Sequence, residues 1–487
     1  MSELLGANTD VLERKAESLI SDARRVQDIR ALAQRALGEL QASWNGSDLA
    51  YLTQQWDQRA SPLLAGASAY LDTCAARLRA QSATQRVTSS GDGGTSHTAS
   101  VFVKAPASPP RHGSPADNAT WWTSMTALQQ QQVLRQHPGW IGNRDGVDFT
   151  ARDLANQALL PLERARLIAE RDRLRADLAD NWFGGDLTND DAALDHVNDK
   201  LTSLDAIEAT MRLPGERQLL LLDLGEERPQ AAIANGNVQT ATNVAVFVPG
   251  LGSVLTHSLK GSDIEMNHLQ KRAESESVRA HPTLAETTAT VTWIGYQAPL
   301  LGDTLTLGKS VAGIEVARKG AAQLTPFLQG VGAARDHDAH LTLLSHSYGS
   351  TTAGLALQQD TGVDDAVFFG SPGVGTNHVR DLNVAPGRSD YIEARGDIVG
   401  DLGRFGVDPS HLSGMGHASA REATVVDLLS GEVRHFTEST GHSEYLLDDT
   451  TSQYNMSVVA AGVPDRQVCD PGKGLGDVLS FPIPGTY

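Results

Sequence analysis

Residues 341–354 read LTLLSHSYGSTTAG. Leu341 to Leu344 form an apolar run suited to a buried strand, and the residues after Gly349 suit a helix, so Ser345-His346-Ser347-Tyr348-Gly349 sits at a strand-to-helix junction. A sharp turn of this kind exposes its central hydroxyl above the sheet and aims the helix N-terminus at it. Strand and helix approach closely there, so the flanking residues must be small. Gly349 meets that need, and Ser345 stands where the Gly-x-Ser-x-Gly form has its first glycine. A serine hydroxyl is a weak nucleophile without an imidazole to take its proton, so Ser347 calls for a histidine and a carboxylate farther along the chain.

Working outward, short β-type runs recur from residue 219: LLLLD (219–223), AAIA (231–234), VAVFVPG (244–250), TVTWIGY (290–296), LTLLSH (341–346), AVFFG (366–370), YIEA (391–394) and VRHF (433–436). Helical patterns fill the gaps at 263–279, 309–329, 349–360 and 421–430. Runs such as VAVFV are apolar nearly throughout, as in strands covered on both faces. The expected fold class is α/β, with an open, mostly parallel eight-stranded sheet. Only LGEERPQ separates the first two strands, which reads as an antiparallel edge hairpin.

His442 follows the last of these runs, in STGHSEY, and is the candidate base. His346 adjoins Ser347 but should point away from the active face. His435 falls inside a strand, and His411 and His417 lie in a polar excursion before it. The carboxylate is expected after YIEA: Asp397 is at that point, Asp401 is the alternate, and Asp390 lies at the strand's wrong end. One oxyanion donor is expected from the Tyr348 amide, directly after the nucleophile at a helix N-terminus. The other should come from the loop after VAVFV, Pro249-Gly250-Leu251-Gly252-Ser253.

The chain resembles the α/β-hydrolases, and more narrowly an actinobacterial α/β-hydrolase family once catalogued as a domain of unknown function. VFVPGLGS (246–253), WIGYQAP (293–299), LLSHSYGSTTAG (343–354), FFGSPGVG (368–375), ARGDIVG (394–400) and TGHSEYL (440–446) carry the resemblance, which extends over about 120–460. It implies the order Ser347, Asp397, His442, with Asp397 matching the A-x-G-D pattern. It also favours Leu251 as the second oxyanion donor, with Gly252 as the alternate. Tyr296, Phe369 and Pro372 are pocket candidates that core packing would explain equally well. No metal or organic cofactor is implied. DHDAH (336–340) reads as a solvated loop, GSPGVG (370–375) is not a dinucleotide fingerprint, and GKGLG (472–476) lacks a phosphate-loop context.

The 487 residues carry 40 Lys plus Arg against 59 Asp plus Glu, a net charge of −19, which disfavours a nucleic-acid partner. At 40% hydrophobic and 20% charged the composition is that of a soluble globular protein. No apolar run is long enough to span a membrane, and MSELLGANTDVLERKAESL has no signal-peptide h-region. Five segments are expected: a helical hairpin over 1–81, a Ser/Gly/Pro-rich linker over 82–118, a helical lead-in or cap over 119–214, the catalytic region over 215–465, and a tail over 466–487. In the lead-in, Pro161 should break or kink a helix over 150–178. The hairpin turns at Trp44-Asn45-Gly46 and resembles the small WXG-type hairpins of actinobacterial specialised secretion, which implies a helical protein partner. Cytoplasmic residence is expected, with signal-peptide-independent export as the alternative. The only cysteines, Cys74 and Cys469, suggest no disulfide framework.

The expected activity is a metal-independent serine hydrolase cleaving a carboxylic ester through an acyl-enzyme, on a small ester or acyl substrate. Amide, thioester and acyl-transfer chemistry would use the same residues. The rival reading is a secretion-linked or interaction module whose hydrolase core is secondary or inactive.

Overall fold

Alternation along the central strands decides how the layers assemble. Val244, Val246 and Val248 share one buried face with Leu341, Leu343, Ala366 and Phe368, while Ala245, Phe247, Leu344, Val367 and Phe369 share the other. Because successive side chains leave a strand on opposite sides, a sheet apolar at every position must be covered twice. The computed structural model describes residues 9–43, scattered positions between 49 and 79, and residues 106–180, 189–284, 286–300, 310–397, 399, 408–427 and 430–470. The chain divides into two compact units, Met1–Phe102 and Val103–Tyr487.

In the first unit, helix α1 runs over Thr9–Ser43, with Ala16, Ala23 and Leu37 buried. The Gln27 amide donates to Ser68 Oγ at 2.9 Å and Arg30 Nε to Ser61 Oγ at 2.8 Å. The Trp44-Asn45-Gly46 turn and Cys74 lie outside the described residues, and a two-helix hairpin is not distinct among the described ones.

The second unit opens with four helices: α2 (Pro115–Thr123), α3 (Ala127–Gln136), α4 (Phe149–Asp180) and α5 (Asn189–Met211). Reciprocal capping boxes start α2 at Ser114 and α3 at Thr126. Of the break or kink expected at Pro161, the break does not occur: α4 continues through it. Leu160, Leu167 and Leu174 pack with Val197, Leu201, Leu204 and Ile207 of α5, and this shared apolar face offsets the roughly 3 kcal/mol that an internal proline costs.

Among the described residues ten strands follow: β1 (Arg217–Asp223), β2 (Gln230–Asn235), β3 (Asn243–Val248), β4 (Thr288–Ile294), β5 (His340–His346), β6 (Asp365–Phe369), β7 (Ser389–Ile392), β8 (Gly416–Ala418), β9 (Ala423–Val426) and β10 (Val433–Phe436). The main sheet has eight strands in the order β1-β2-β4-β3-β5-β6-β7-β8. β1 and β2 form the expected antiparallel edge hairpin, β2 is also antiparallel to β4, and every other neighbour pair is parallel. Helices α7 (Ser310–Ala333) and α8 (Tyr348–Ala356) cover one face, and α6 (Lys260–Ala280) and α9 (Thr451–Ala460) cover the other.

The eighth strand is not the expected one. VRHF (433–436) pairs with β9 in a separate two-stranded ribbon, and 423–426, expected to be helical, is a strand. Gly416-His417-Ala418 takes the edge place beside β7. A three-residue strand without an apolar run leaves no periodic signal, whereas the half-exposed ribbon strands do alternate.

The lead-in helices seal the other edge of the sheet. Asp153 Oδ1 accepts the Leu219 N–H at 2.7 Å, Asn156 and Arg152 donate to the Leu219 and Leu220 carbonyls, and Asn143 bonds both the N–H and the carbonyl of Leu222. Buried side chains thereby satisfy the backbone groups of β1 that another strand would otherwise seek.

The crossovers define where a site can form. The chain goes from β3 outward to β4, then returns to place β5 on the other side of β3. The connections leaving β3 and β5 therefore part in opposite directions and open a crevice at their carboxyl ends. Helix α8 leads away from that crevice and depends on Gly354. A Cβ there would lie 2.0 Å from the Val374 carbonyl oxygen, a backbone atom with no freedom to yield. We expect Gly354→Ala to lower stability by about 3 kcal/mol, through overpacking between α8 and the loop after β6. A thermal melt within a degree of the unchanged protein would refute it.

Candidate active site

β5 runs straight into Ser347, whose φ of 53° and ψ of −132° place a non-glycine residue in the left-handed region before α8 begins. That conformation costs of order 1–3 kcal/mol and persists because its surroundings hold it. The Ser347 N–H donates to the Phe369 carbonyl at 3.0 Å, extending the β5–β6 ladder. Two glycines make room. A Cβ at Gly250 would lie 2.5 Å from Ser347 Cβ, and one at Gly349 would lie 2.4 Å from the Val248 carbonyl oxygen. Ser345 is buried and its carbonyl accepts the Ser350 hydroxyl, so a serine fits the first small position.

Asp397 and His442 arrive from the loops after β7 and β10. His442 Nε2 is 2.8 Å from Ser347 Oγ, and His442 Nδ1 is 3.0 and 2.9 Å from the two oxygens of Asp397. Burial opposes ionisation of Asp397, but hydrogen bonds from His442, Tyr445 and the Val399 amide outweigh it and hold the carboxyl below its usual range. An ionised carboxylate only accepts, so Nδ1 carries the imidazole proton and Nε2 presents its lone pair to the serine hydroxyl. The arrangement can draw a proton from Ser347 and hold the resulting imidazolium.

Of the other candidate residues, Asp401 lies outside the described residues, as do 403–407. The Gly252 N–H donates to the Pro299 carbonyl at 2.8 Å, which commits it away from any oxyanion. Leu251, Tyr348, Phe369 and Pro372 line a cleft of about 1490 Å³ together with Ser347 and His442. Tyr296 does not line it: the ring is buried beneath, its hydroxyl donates to the Pro249 carbonyl at 2.7 Å, and it stacks on Tyr348 with centroids 6.4 Å apart. Its part is to brace the loop after β3. No described residue of 119–214 lines the cleft, so the cap expected there is not seen over it.

Several contributors were not among the expected site residues. His346 does not turn away. Its Nε2 donates to the His442 carbonyl at 2.8 Å, the two rings lie 4.6 Å apart, and burial, then the neighbouring His442, push its imidazole down to about 4. Tyr445 donates to Asp397 Oδ2 at 2.6 Å. Gly370, at φ 55°, faces Asp397 and His442, and a Cβ there would lie 2.8 Å from Asp397 Oδ2. Glu265, half-buried on the cleft wall, has its carboxyl pushed up by burial.

Among the described residues no group of three or more His, Cys, Asp and Glu is disposed to hold a metal ion, and no helix is long and apolar enough to cross a membrane. Cys469 is a free, exposed thiol.

A family model described as alpha/beta hydrolase matches residues 225–407, a span that includes Ser347 and Asp397 and stops short of His442. An uncharacterised protein of Mycobacterium tuberculosis is 32% identical over 241 residues, covering 48% of this chain and 88% of that protein. A second uncharacterised protein of that species is 30% identical over 427 residues, 78% of this chain and 62% of its own length. A hyperthermophilic esterase from Pyrobaculum calidifontis superposes with a TM-score of 0.30 at 12% identity, over 61% of this chain and 97% of its own. With the mixed eight-stranded sheet and these mycobacterial relatives, the chain belongs to the α/β-hydrolase family.

Proposed function

We propose that the protein is a serine hydrolase that cleaves a carboxylic ester through an acyl-enzyme. The observation that carries this reading is the continuous path Ser347 Oγ, His442 Nε2, His442 Nδ1, Asp397, closed at 2.8 and 2.9 Å beside an open cleft. Ser347 Oγ attacks the ester carbonyl carbon as its proton passes to His442 Nε2. The carbonyl electron pair moves onto oxygen, toward the Tyr348 amide at the start of α8 and the Leu251 amide after β3. Collapse re-forms the carbonyl and breaks the C–O bond, and the departing alcohol takes the proton from Nε2. Water then repeats the sequence on the acyl-enzyme and frees the acid and Ser347. Each step returns its proton within the site.

Amide, thioester or acyl-transfer chemistry would proceed through the same intermediate. The experiment is a panel of p-nitrophenyl esters of increasing acyl length, beside matched anilides and thioesters, run with the purified chain and with Ser347→Ala. Ester turnover that vanishes in the variant is the expected result. Ester turnover equal in the two proteins, or none in either, refutes the reading.

For the first unit we retain the hairpin as the reading. Its support is that partners descend one arm as they ascend the other: Gln27 meets Ser68, Arg30 meets Ser61 and Gln34 meets Trp56. That is the order of an antiparallel helix pair, and a helical protein partner is the kind that such a pair would take.

A further inference from the structure

We propose that Tyr445 is a positioning residue of this centre, fixing the rotation of the Asp397 carboxylate toward His442; the inference rests on the hydrolase reading above. Tyr445 stands three residues after His442 in the same loop, and its side chain is buried. The hydroxyl accepts the Ala394 N–H at 2.9 Å and donates to Asp397 Oδ2 at 2.6 Å. Ala394 opens the Ala394-Arg395-Gly396-Asp397 turn, so one phenol ties the histidine loop both to the backbone and to the side chain of the acid loop. The direction of its proton is forced, because an N–H already occupies the acceptor side and a carboxylate has no proton to offer.

The rest of the setting leaves the ring one place to sit. It packs against Phe369 and His346 with centroids 5.5 and 5.8 Å apart, and His346 in turn holds the His442 carbonyl. The Val399 N–H donates to Asp397 Oδ1 at 2.9 Å. Each carboxylate oxygen thus has one fixed donor besides His442. With only Val399 present, the carboxylate could turn about its bond to Cβ and present either oxygen to Nδ1. With Tyr445 as well, both oxygens are pinned and Nδ1 meets them at 3.0 and 2.9 Å.

The titratable groups facing Asp397 are His442, Tyr445 and His346, and Glu393 acts on the phenol from the strand side. Burial, with Asp397 and Glu393 nearby, pushes the Tyr445 phenol far up, so it stays a donor at every working pH. Removing that donor leaves Asp397 more basic. The Asp397–His442 pair then binds its proton more tightly, and the acid limb of activity moves to higher pH.

The test follows fluorophosphonate labelling and ester turnover from about pH 4 to 9, the range in which carboxyl and imidazole titrate. Tyr445→Phe should lower kcat about tenfold, the usual weight of a hydrogen bond to a charged group, with KM unchanged. Its acid limb should move up by about half a unit to one unit. Site-specific 3-fluorotyrosine at 445 keeps the shape and makes a stronger donor, so its acid limb should move down. A purely structural phenol would give neither opposed shift. Superimposable profiles for all three proteins overturn the role of Tyr445 while Ser347→Ala still loses labelling. If Ser347→Ala labels as fast as the unchanged chain, the hydrolase reading falls first and this one with it. Should Tyr445→Phe not fold, the fluorotyrosine profile decides alone.

Discussion

Ser347→Ala loses fluorophosphonate labelling and about 10⁴-fold or more of ester turnover, and it keeps its fold. The chemical loss follows from Ser347 Oγ being, among the described residues, the hydroxyl at hydrogen-bond distance from His442 Nε2. Without it no acyl-enzyme forms, and only binding and oxyanion stabilisation of an attacking water remain, which sets the scale of the loss. The fold should survive because the backbone does most of the holding. The Ser347 N–H stays in the β5–β6 ladder, and alanine occupies φ 53° at much the same strain as serine. His442, with a side chain 32% exposed, can take water in place of the lost hydroxyl. The measurement is probe labelling on a gel beside a thermal melt. Undiminished labelling with an unchanged melt would place the nucleophile elsewhere and end the acyl-enzyme proposal.

Much of this site could be read from residue types and order because its parts are local. A strand-to-helix turn needs small neighbours at fixed offsets, so Gly349 and Ser347 announce themselves in sequence. What escaped was held by contacts between distant segments. Tyr445 and His346 look like any tyrosine and histidine until Asp397 and the His442 carbonyl are brought to them. Tyr296 misled for the related reason that an aromatic ring under a loop and one lining a cleft have the same local sequence. In the fold, β8 was missed because Gly416-His417-Ala418 owes its place to β7 and not to its own pattern. A Cβ at Gly416 would lie 1.9 Å from Asp390 Oδ1, so a side chain there would have to displace that carboxylate. Pro161 stays helical because the α5 face, invisible in a local window, supports it. The helices of 119–214 offered apolar faces that suited a cap, yet those faces pack with Leu219, Leu222 and Ile233 of the β1–β2 hairpin, while Asp153, Arg152 and Asn156 bond the β1 edge.

Asp397→Asn should cut turnover about 10⁴-fold while labelling remains detectable, and the hydrogen-bond directions say why. The Val399 N–H donates to Oδ1 and the Tyr445 hydroxyl to Oδ2; a phenol can turn its proton aside and a backbone N–H cannot, so an asparagine keeps its oxygen at Oδ1. Its NH₂ group then takes the Oδ2 position, 2.9 Å from His442 Nδ1. Nδ1–H then faces an N–H on one side and keeps only the neutral amide oxygen, 3.0 Å away, as acceptor, so its hold on the proton weakens and the tautomer protonated on Nε2 gains. That tautomer shows Ser347 a proton where a lone pair is required, so the base is present and cannot act. The phenol of Tyr445 loses its acceptor at the same position. A second readout separates this from simple unfolding. Because Asp397 is held below its ordinary value, its carboxylate contributes stability above the unfolded-state pKa near 3.9, and that contribution is lost as pH falls through the folded-state value. The gap in melting temperature between Asp397→Asn and the unchanged protein should therefore be widest near neutrality and close in acid, below about pH 4. Turnover within tenfold of the unchanged protein would move the orienting carboxylate off Asp397 and make Asp401 the next residue to replace.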